Sequence, residues 1–462
     1  MQHDTNQAAG NQAADNQASG NRLDQWADHY AARTAGMSAS EIRALFSVAS
    51  RPEVVSLAGG MPNLAALPMD AVSHLAADLL ADQGTTALQY GSGQGDPLLR
   101  DRILEVMELE EITGHADDVV VTTGSQQALD LVTRIFIDPG DVIVAEAPSY
   151  VGALGVFKAY QADVVHVPMD ADGLVPELLE GRLRRLADEG RTVKFLYTVP
   201  NFHNPAGVTL SLERRPQILE IARRYGVLVL EDNPYGLLGF DSEPMPALRS
   251  LDPEQVVYLG SFSKTFAPGL RVGWALAPHA VRDKLVLASE SAILCPSAFS
   301  QALVRRYLEQ HDWRHQIKLY RELYRERRDA MLAALEDLMP RASWTVPNGG
   351  FYVWLQLPDG LDAKAMLPRA VTERVAYVPG TAFYAGATDH GDDATHDGRS
   401  HMRLSYCYPE PERIREGVRR LAAVVDGELT VRGTFGADAT STGSIPRVPG
   451  RQKVESPGPD LQ

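Results

Sequence analysis

The stretch YLGSFSKTFAPGLRVGW, residues 258–274, decides how the rest of the sequence is interpreted. Lys264 follows the β-like run VVYLG, so a strand would carry its amine to the carboxyl edge of a sheet, where open α/β sheets bind ligands. Arg271 lies seven positions later (271 − 264), between a Pro-Gly turn and a second β-like run, VGWALA. The Lys264 amine can form a Schiff base, and the hydroxyls of Ser261 and Ser263 and the guanidinium of Arg271 suit a phosphate. Together they predict a pocket for a carbonyl compound that bears a phosphate.

Two other interpretations of Lys264 compete with this one. A P-loop would need glycines where Tyr258 and Ser263 stand, so that pattern does not fit. A solvated surface position is the ordinary place for a lysine. The rest of the chain therefore has to decide between a surface lysine and a cofactor lysine.

The same stretch resembles the cofactor-lysine signature of class I/II aminotransferases of fold type I, which use pyridoxal phosphate. The resemblance covers about Ser38 to Val425 and is greatest to the branch with 2-aminoadipate and kynurenine aminotransferases and the aminotransferase-like domains of certain bacterial regulators. It implies an α/β fold, in which a large domain with a mainly parallel central sheet is joined to a smaller α+β domain.

Composition limits the possible partners. The formal charge of −16 (44 − 60) argues against binding to nucleic acid or to an anionic membrane. No run approaches the roughly 20 apolar residues of a membrane span, and the N-terminus lacks a secretory pattern, so we expect a cytoplasmic protein. Cys295 and Cys407 provide no disulfide framework and lie near no histidine cluster, so no metal is expected there.

The sequence predicts five segments. Residues 1–21 and 433–462 are rich in small and polar residues and are expected to be disordered. Residues 22–67 form an N-terminal arm that belongs to the small domain, and a helical pattern in it starts at Leu23. Residues 68–295 form the large cofactor-binding domain. Residues 296–432 form the C-terminal small domain, in which GGFYVWLQLP and the run AVTERVAYVPGTAFY, from Ala370, are strand-like. The histidine- and aspartate-containing loop 387–401 is expected to be mobile and to bind no metal.

Asp232 is the second candidate that the residues themselves indicate. It ends the apolar run VLVLED, which is a costly place for a carboxylate without a partner. A protonated pyridine nitrogen would be such a partner. Asp232 would then keep the cofactor ring able to accept electrons from the substrate.

A third indication comes from VVVTTGSQQALDLVTRIF, which reads as strand, turn and helix. The helix would begin near Ser125 and Gln126, and its free N–H groups suit a phosphate. Any helix with a serine at its start has this property, so the resemblance is needed to assign the phosphate site there.

The resemblance implies further roles. Tyr150 would stack on the cofactor ring, and Asn204 and Tyr235 would hydrogen-bond its phenolic oxygen. Arg403 would bind the substrate α-carboxylate, together with Gly60 and Asn204. Tyr90 would reach the phosphate of the neighbouring subunit, which implies a homodimer with shared active sites. Arg43 would meet a distal carboxylate of the substrate; an ordinary helix-surface arginine is the alternative.

The predicted activity is a transamination (EC 2.6.1.-), with Lys264, Asp232 and Tyr235 as catalytic residues. An L-amino acid (2-aminoadipate, glutamate, aromatic or aliphatic) would give its amino group to a 2-oxo acid, 2-oxoglutarate being the expected acceptor. A lyase or decarboxylase of the same fold, or a non-catalytic regulator-like domain that binds pyridoxal phosphate, are the alternatives. About 37 residues without a basic helix precede Ser38, which leaves no room for a DNA-binding module.

Overall fold

The computed structural model describes residue 24 and residues 26–37, 51–386 and 398–435. These residues form the predicted α/β structure, with one eight-stranded sheet, one four-stranded sheet and one two-stranded pair. The strands, numbered in chain order, are β1 Val55–Ser56, β2 Val119–Thr122, β3 Val142–Ala147, β4 Asp163–Asp170, β5 Gly173–Leu174, β6 Val193–Thr198, β7 Leu228–Asp232, β8 Val256–Ser261, β9 Gly273–Leu276, β10 Ser343–Trp344, β11 Tyr352–Gln356, β12 Val375–Ala376, β13 Val378–Pro379 and β14 His401–Ser405.

Helices cover both sheets. The α-helices are α1 Met69–Ala87, α2 Pro97–Met107, α3 Ser125–Phe136, α4 Val151–Ala159, α5 Pro176–Asp188, α6 Arg214–Arg224, α7 Leu248–Leu251, α8 His279–Ile293, α9 Ala298–Gln310, α10 Trp313–Leu338, α11 Ala363–Thr372 and α12 Pro411–Phe435. Short 3-10 helices occupy Ala27–His29, Ala32–Gly36, Glu108–Glu110, Ala116–Asp118, Pro268–Leu270 and Gly380–Phe383.

The large sheet has the strand order β2-β9-β8-β7-β6-β3-β4-β5. Strands β8, β7, β6, β3 and β4 are parallel, while β9 and β5 run antiparallel to their neighbours. Both faces of this sheet are buried: Ile143 and Ala145 pack with α3 and α4, and Val142 and Val144 pack with α5 and α6. Burial on both sides explains why these strands read as continuous apolar runs.

The small domain is built on the antiparallel sheet β10-β11-β14-β13. Val353, Leu355, Met402 and Leu404 face a core that is completed by α10, α11 and α12. Val55 in the arm joins the same core, so the arm packs with the small domain. The residues that alternate with these on β11 and β14 face the other way, towards the large domain's strand ends.

The packing changes from one domain to the other inside α10. Leu303 of α9 and Trp313 of α10 share a core with Leu75 of α1 and Leu99 of α2, all in the large domain. Tyr324, later in α10, lies in the small-domain core. The boundary between residues 295 and 296 is therefore not where the hydrophobic core divides, because α9 buries its apolar face against α1 and α2.

Three local predictions differ from the structure. The helical pattern from Leu23 gives two short 3-10 helices among the described residues, and neither Trp26 nor Tyr30 finds a core to cover it. The strand-like run that begins at Ala370 starts inside α11, where Met366 and Ala370 bury one helical face. Helix α12 continues to Phe435, past the expected end at residue 432.

Several predictions fall outside the described residues. These are the segment containing Arg43, most of the 387–401 loop, and the terminal residues 1–23 and 436–462. Within the described part of the chain, no helix is both long and apolar enough to cross a membrane. The described part also contains no cluster of three or more metal-ligating side chains.

Candidate active site

The predicted site residues gather at one edge of the large sheet. Asp232 ends β7, Lys264 follows β8, and Asn204 lies in the loop after β6. Tyr150 follows β3, and Ser125 starts the helix after β2. Because the carboxyl ends of neighbouring parallel strands meet at the same edge, residues far apart in sequence share one site.

Asp232 is a buried carboxylate with one satisfied and one unsatisfied oxygen. The Tyr197 hydroxyl donates to Asp232 Oδ2 over 2.8 Å. Asp232 Oδ1 is buried and has no hydrogen-bond partner among the described residues. Burial raises the pKa of Asp232 from 3.8 to about 6, while the Tyr197 hydrogen bond lowers it. A cationic N–H at Oδ1 would supply both the missing hydrogen bond and the missing charge.

Lys264 is held by a backbone carbonyl, with Nζ donating to Gly60 O over 3.0 Å. The pKa of Lys264 is lowered from 10.5 to about 8, mainly by desolvation and also by the positive charges of Arg403 and Arg271. A lysine with a depressed pKa has more of the neutral amine that attacks a carbonyl. Its position and its chemistry therefore suit a cofactor lysine rather than a surface lysine.

Arg271 folds back over the start of α3. It adopts left-handed backbone angles, φ 54° and ψ 47°, and its guanidinium donates to Thr123 O over 3.2 Å and to Ser263 Oγ over 3.4 Å. Gly124 has a φ of 79°, and a Cβ there would lie 2.4 Å from Arg271 Nη2. Glycine is thus required at position 124 for both its backbone conformation and its lack of a side chain.

These contacts create a site for an anion. The first N–H groups of α3, at Ser125 and Gln126, have no acceptor within the helix. They lie next to the Arg271 guanidinium and the Ser263 hydroxyl, and the Ser261 hydroxyl donates to Ser263 Oγ over 2.8 Å. Helix N–H groups, a guanidinium and hydroxyls are the donors that a phosphate accepts.

Tyr150 and Gln126 are tied to each other. The Tyr150 hydroxyl donates to Gln126 Oε1 over 3.3 Å, and Gln126 Nε2 donates to Gly152 O over 3.1 Å. Burial raises the pKa of Tyr150 to about 12, so the ring remains a neutral phenol. The side-chain amide of Gln126 thus holds the tyrosine that was predicted to stack on the cofactor ring.

Arg403 is buried, and its charge has neutral partners. Nη1 donates to Asn204 Oδ1 over 2.8 Å, and Nη2 donates to Ala58 O over 2.6 Å. Nε is buried without a partner among the described residues. Because no carboxylate is among these contacts, Arg403 is free to bind one from a ligand. Asn204 is engaged with Arg403 rather than standing alone, which the sequence analysis did not foresee.

The backbone of residues 58–61 presents carbonyl oxygens to three site side chains. Ala58 O accepts from Arg403, Gly60 O accepts from Lys264, and Met61 O accepts from the Cys407 thiol at 3.1 Å. The segment Gly59-Gly60-Met61-Pro62 therefore brings the backbone close to the reactive groups. Cys407, for which the sequence indicated neither a disulfide nor a metal, thus lies next to the reactive groups.

Tyr235 meets a residue that sequence reasoning missed. Its hydroxyl oxygen lies 3.4 Å from that of Tyr352, and the rings are edge-on with centroids 6.0 Å apart. Both side chains are buried, at 3% exposure each. The period-two alternation of FYVWLQ could have placed Tyr352 and Trp354 on the face opposite Val353 and Leu355.

One predicted residue within the described part of the chain is not part of this cluster. Tyr90 is 78% exposed on this chain, where its ring contributes nothing to the pocket around Lys264. Arg43 lies outside the described residues. The described residues therefore bring the predicted cofactor and carboxylate residues together without Tyr90.

A buried polar network lies beneath the site. Glu110 accepts from Asn233 Nδ2 over 2.6 Å and from the Tyr258 hydroxyl over 2.8 Å. Asn233 Oδ1 accepts from Asn201 Nδ2 over 3.1 Å, and Asn201 Oδ1 accepts from Arg215 over 2.6 Å. Asn233 directly follows Asp232, so this network supports the end of β7. The acidic run ELEE gave no sign that its third residue is buried.

Comparison with known proteins identifies the family. The model of the class I and II aminotransferase family matches residues 52–421. An aromatic-amino-acid aminotransferase from Thermococcus litoralis is 44% identical over 405 residues, covering 87% of this chain and 95% of that protein. The chain belongs to the class I and II aminotransferases and is a pyridoxal-phosphate-dependent transaminase of fold type I, as the sequence predicted.

Two solved structures share its architecture. A kynurenine aminotransferase from Pyrococcus horikoshii superposes with a TM-score of 0.82 at 39% identity, covering 88% of this chain and 99% of that one. An alpha-aminoadipate aminotransferase from Thermus thermophilus, complexed with N-(5'-phosphopyridoxyl)-L-leucine, gives a TM-score of 0.80 at 35% identity, covering 88% of this chain and all of that one.

The residues present fit the family's cofactor. The unsatisfied Oδ1 of Asp232 suits a protonated ring nitrogen, and the anion site at Arg271 suits a phosphate. The amine of Lys264, with its lowered pKa, suits the aldehyde. Pyridoxal phosphate, when bound, supplies the carbonyl chemistry and the electron-withdrawing ring that amino-group transfer requires.

Proposed function

We propose that this transaminase accepts several L-amino acids, with aromatic amino acids and 2-aminoadipate among them, and uses 2-oxoglutarate as the acceptor. The observation that carries the proposal is the placement of Asp232 at the end of β7 and of Lys264 just after the adjacent strand β8, with Arg403 ready for a carboxylate. The names of the relatives, which include aromatic-amino-acid, kynurenine and 2-aminoadipate aminotransferases, support this range of donors.

We assign the cofactor contacts as follows. Asp232 would hold the ring nitrogen, Tyr150 would cover the ring face, and Asn204 and Tyr235 would donate to the phenolic oxygen. The phosphate would be bound by side chains and N–H groups of the anion site: Ser125, Gln126, Ser261, Ser263 and Arg271. Hydrogen bonds join Tyr150 to Gln126 and both Ser261 and Arg271 to Ser263, and Asp232 Oδ1 is unsatisfied, which supports these assignments.

Lys264 would act as the base that moves the substrate's Cα proton. Its pKa, lowered to about 8 by burial, leaves a useful fraction of neutral amine near physiological pH. The hydrogen bond to Gly60 O holds the amine next to the backbone carbonyls of residues 58–61, which we call the carbonyl strip. Asp232, charged above a pH of about 6, would maintain the positive charge on the ring nitrogen while this proton moves.

Arg403 would bind the substrate α-carboxylate and so favours transamination over decarboxylation. A carboxylate held by a guanidinium is stabilised as an anion and is not released as carbon dioxide. Gly60 and Asn204 would border the same carboxylate. A lyase or decarboxylase would keep Lys264, Asp232 and Arg271, so the products of the reaction distinguish the two activities. The role of Arg43 towards a distal carboxylate stays a prediction.

We further propose a homodimer in which Tyr90 completes the phosphate site of the partner. The high exposure of Tyr90 on the single subunit supports this assignment, since a large aromatic side chain is usually covered. The cytoplasmic location expected from the sequence stays a prediction as well.

A panel of amino acids tests the proposed function. Each amino acid is added to the cofactor-loaded protein, the loss of the visible absorption band is followed, and the product is identified after 2-oxoglutarate is added. Aromatic amino acids and 2-aminoadipate should bleach the band and yield the matching 2-oxo acids. Lys264→Ala should lower turnover by at least about 10³-fold. Carbon dioxide or an amine as the main product would overturn the assignment.

A further inference from the structure

Tyr352 occupies the point where the two halves of the site meet. It begins β11 in the small domain, and its hydroxyl lies against Gly60, where a Cβ would come within 2.0 Å of it. Its carbonyl oxygen abuts Gly207, in the loop that carries Asn204, where a Cβ would come within 2.6 Å. Tyr352 is therefore packed between the backbone of residues 58–61 and the loop that carries Asn204 and Gly207.

The ring of Tyr352 packs against the guanidinium of Arg403. In the β11–β14 register, Tyr352 pairs with Ser405 and Trp354 pairs with Arg403, so Tyr352 and Arg403 are diagonal neighbours on one face of the sheet. The guanidinium carbon of Arg403 lies 4.2 Å from the centroid of the Tyr352 ring. An aromatic face attracts a desolvated guanidinium, and the contact limits the orientations that Arg403 can adopt.

The hydroxyl of Tyr352 serves a different neighbour. Tyr235 donates towards it over 3.4 Å, which is long for a hydrogen bond between hydroxyls. A hydroxyl has one proton and two lone pairs. When the Tyr235 hydroxyl donates its hydrogen bond to a cofactor oxygen, the Tyr235 oxygen can accept a hydrogen bond from the Tyr352 hydroxyl.

We propose that Tyr352 is a positioning residue of this active site, whose hydroxyl orients Tyr235 and whose ring orients Arg403. This inference rests on the proposed contacts of Tyr235 with the cofactor and of Arg403 with the substrate carboxylate. It links the cofactor side of the site to the substrate side through one side chain. The two contacts use different atoms, so they can be removed separately.

Tyr352→Phe removes the hydroxyl and keeps the ring. Without a donor from Tyr352, Tyr235 becomes a weaker donor to the cofactor oxygen, so negative charge there is less stable. The pH midpoint of the visible absorption of the bound cofactor should then rise by roughly half a unit, the size expected for one neutral hydrogen bond. KM for amino acids should stay within about twofold, because the ring still supports Arg403.

Tyr352→Met removes the ring and keeps an unbranched side chain that fills irregular space. KM for amino acids should rise roughly five- to thirtyfold, the range of a desolvated cation–π contact. Both the absorption midpoint and KM should therefore change in this variant. If Tyr352→Met does not retain cofactor, Tyr352→Phe alone decides the proposal.

Tyr377→Phe is the matched control. The Tyr377 hydroxyl donates to Ala363 O in the small-domain core, so its loss weakens packing away from the site. This variant should leave the absorption midpoint and KM unchanged. An absorption midpoint in Tyr352→Phe equal to that of wild type would overturn the inference, while an inactive wild type would instead overturn the proposed function.

Discussion

The Tyr197 hydroxyl donates to Oδ2 of Asp232 over 2.8 Å, and this contact directs the second carboxylate oxygen into the site. Tyr197 lies on β6 and Asp232 on β7, so the register of two parallel strands sets the geometry. A carboxylate that rotated freely would lose the orientation that a ring nitrogen requires. The position of Tyr197 therefore matters for cofactor binding as well as for packing.

Cofactor affinity should depend on the charge of Asp232. Burial raises the pKa of this carboxyl to about 6, so the carboxylate is present above that pH and is lost as the pH falls below it. We expect the affinity for pyridoxal phosphate to fall by up to roughly tenfold per pH unit in that range. Asp232→Asn should bind pyridoxal phosphate more weakly than wild type at pH 8. Its affinity should not show the fall that protonation of Asp232 causes in wild type.

Because the cofactor itself titrates, the measured quantity is the ratio of the wild-type and Asp232→Asn dissociation constants at each pH. Tyr197→Phe is the companion variant. It removes a donor that lowers the pKa of Asp232, so the fall in affinity should begin at a higher pH. A ratio that does not change between pH 5 and 8 contradicts the role given to Asp232.

Arg403→Lys should separate charge from geometry. A lysine keeps the positive charge. Its single amine cannot donate to both Asn204 and Ala58, as the two guanidinium nitrogens of Arg403 do. We expect kcat/KM for amino acids to fall roughly 10- to 100-fold, from the loss of a charged hydrogen bond. Steady-state kinetics with several amino acids measures this. An equal fall in cofactor affinity would assign Arg403 to the cofactor instead.

Gly60→Ala should lower the melting temperature and raise KM, because the new methyl group would collide with Tyr352. Adding Tyr352→Phe should partly reverse both changes. The added Cβ would lie 2.0 Å from the Tyr352 hydroxyl but 3.2 Å from the ring carbon that carries it. We therefore expect Gly60→Ala/Tyr352→Phe to have a higher melting temperature and a lower KM than Gly60→Ala. Additive losses in the double variant would show that the two side chains do not meet.

Glu110→Gln should change how stability depends on pH. Burial raises the pKa of Glu110 from 4.5 to about 7, so the folded protein holds this proton more tightly than the unfolded chain does. Its contribution to the free energy of unfolding is full below pH 4.5 and is lost as the pH rises to about 7, by roughly 3 kcal/mol at most. Glutamine cannot ionise and should remove this loss.

Denaturant unfolding of both proteins between pH 5 and 8 measures the effect. The difference in the free energy of unfolding, variant minus wild type, should increase with pH. Two parallel curves would mean that Glu110 titrates normally despite its burial and its bonds to Asn233 and Tyr258.

Tyr90→Phe should weaken cofactor binding in the partner's site. The loss of a hydrogen bond to a charged phosphate predicts roughly a 10- to 100-fold weaker affinity. Mixed with Lys264→Ala subunits, Tyr90→Phe chains should regain wild-type affinity, because the mixed dimer combines an intact Lys264 with an intact Tyr90. A monomer in sedimentation, or no recovery on mixing, contradicts the shared site.

The sequence predicted the strands and residues of the large domain well, because parallel strands buried on both faces have a strong apolar signal. Asp232 and Lys264 could be chosen as candidates because one ends such a run and the other lies three residues after one. The helix start at Ser125 followed from a β-branched run that ends in glycine. These are local signals, and local signals are what a single sequence carries.

The contacts between the domains could not be predicted in this way. Tyr352 and Tyr197 look like ordinary core aromatics, and their importance depends on which residue lies across a strand register. Asn204 was predicted to serve the cofactor, and its contact with Arg403 depends on how the small sheet sits against the large one. The division of the hydrophobic core could not be predicted either, because α9 is amphipathic and only the structure shows that it packs against α1 and α2.

Helix α10 passes without a break from the core around Leu75 to the core around Tyr324. The small domain also takes β1 from the beginning of the chain, so it is not a contiguous piece of sequence. A ribosome must therefore complete almost the whole polypeptide before the small-domain core, which runs from Val55 to Val425, can form. We expect a single calorimetric transition, and a fragment starting after residue 338 should not fold by itself.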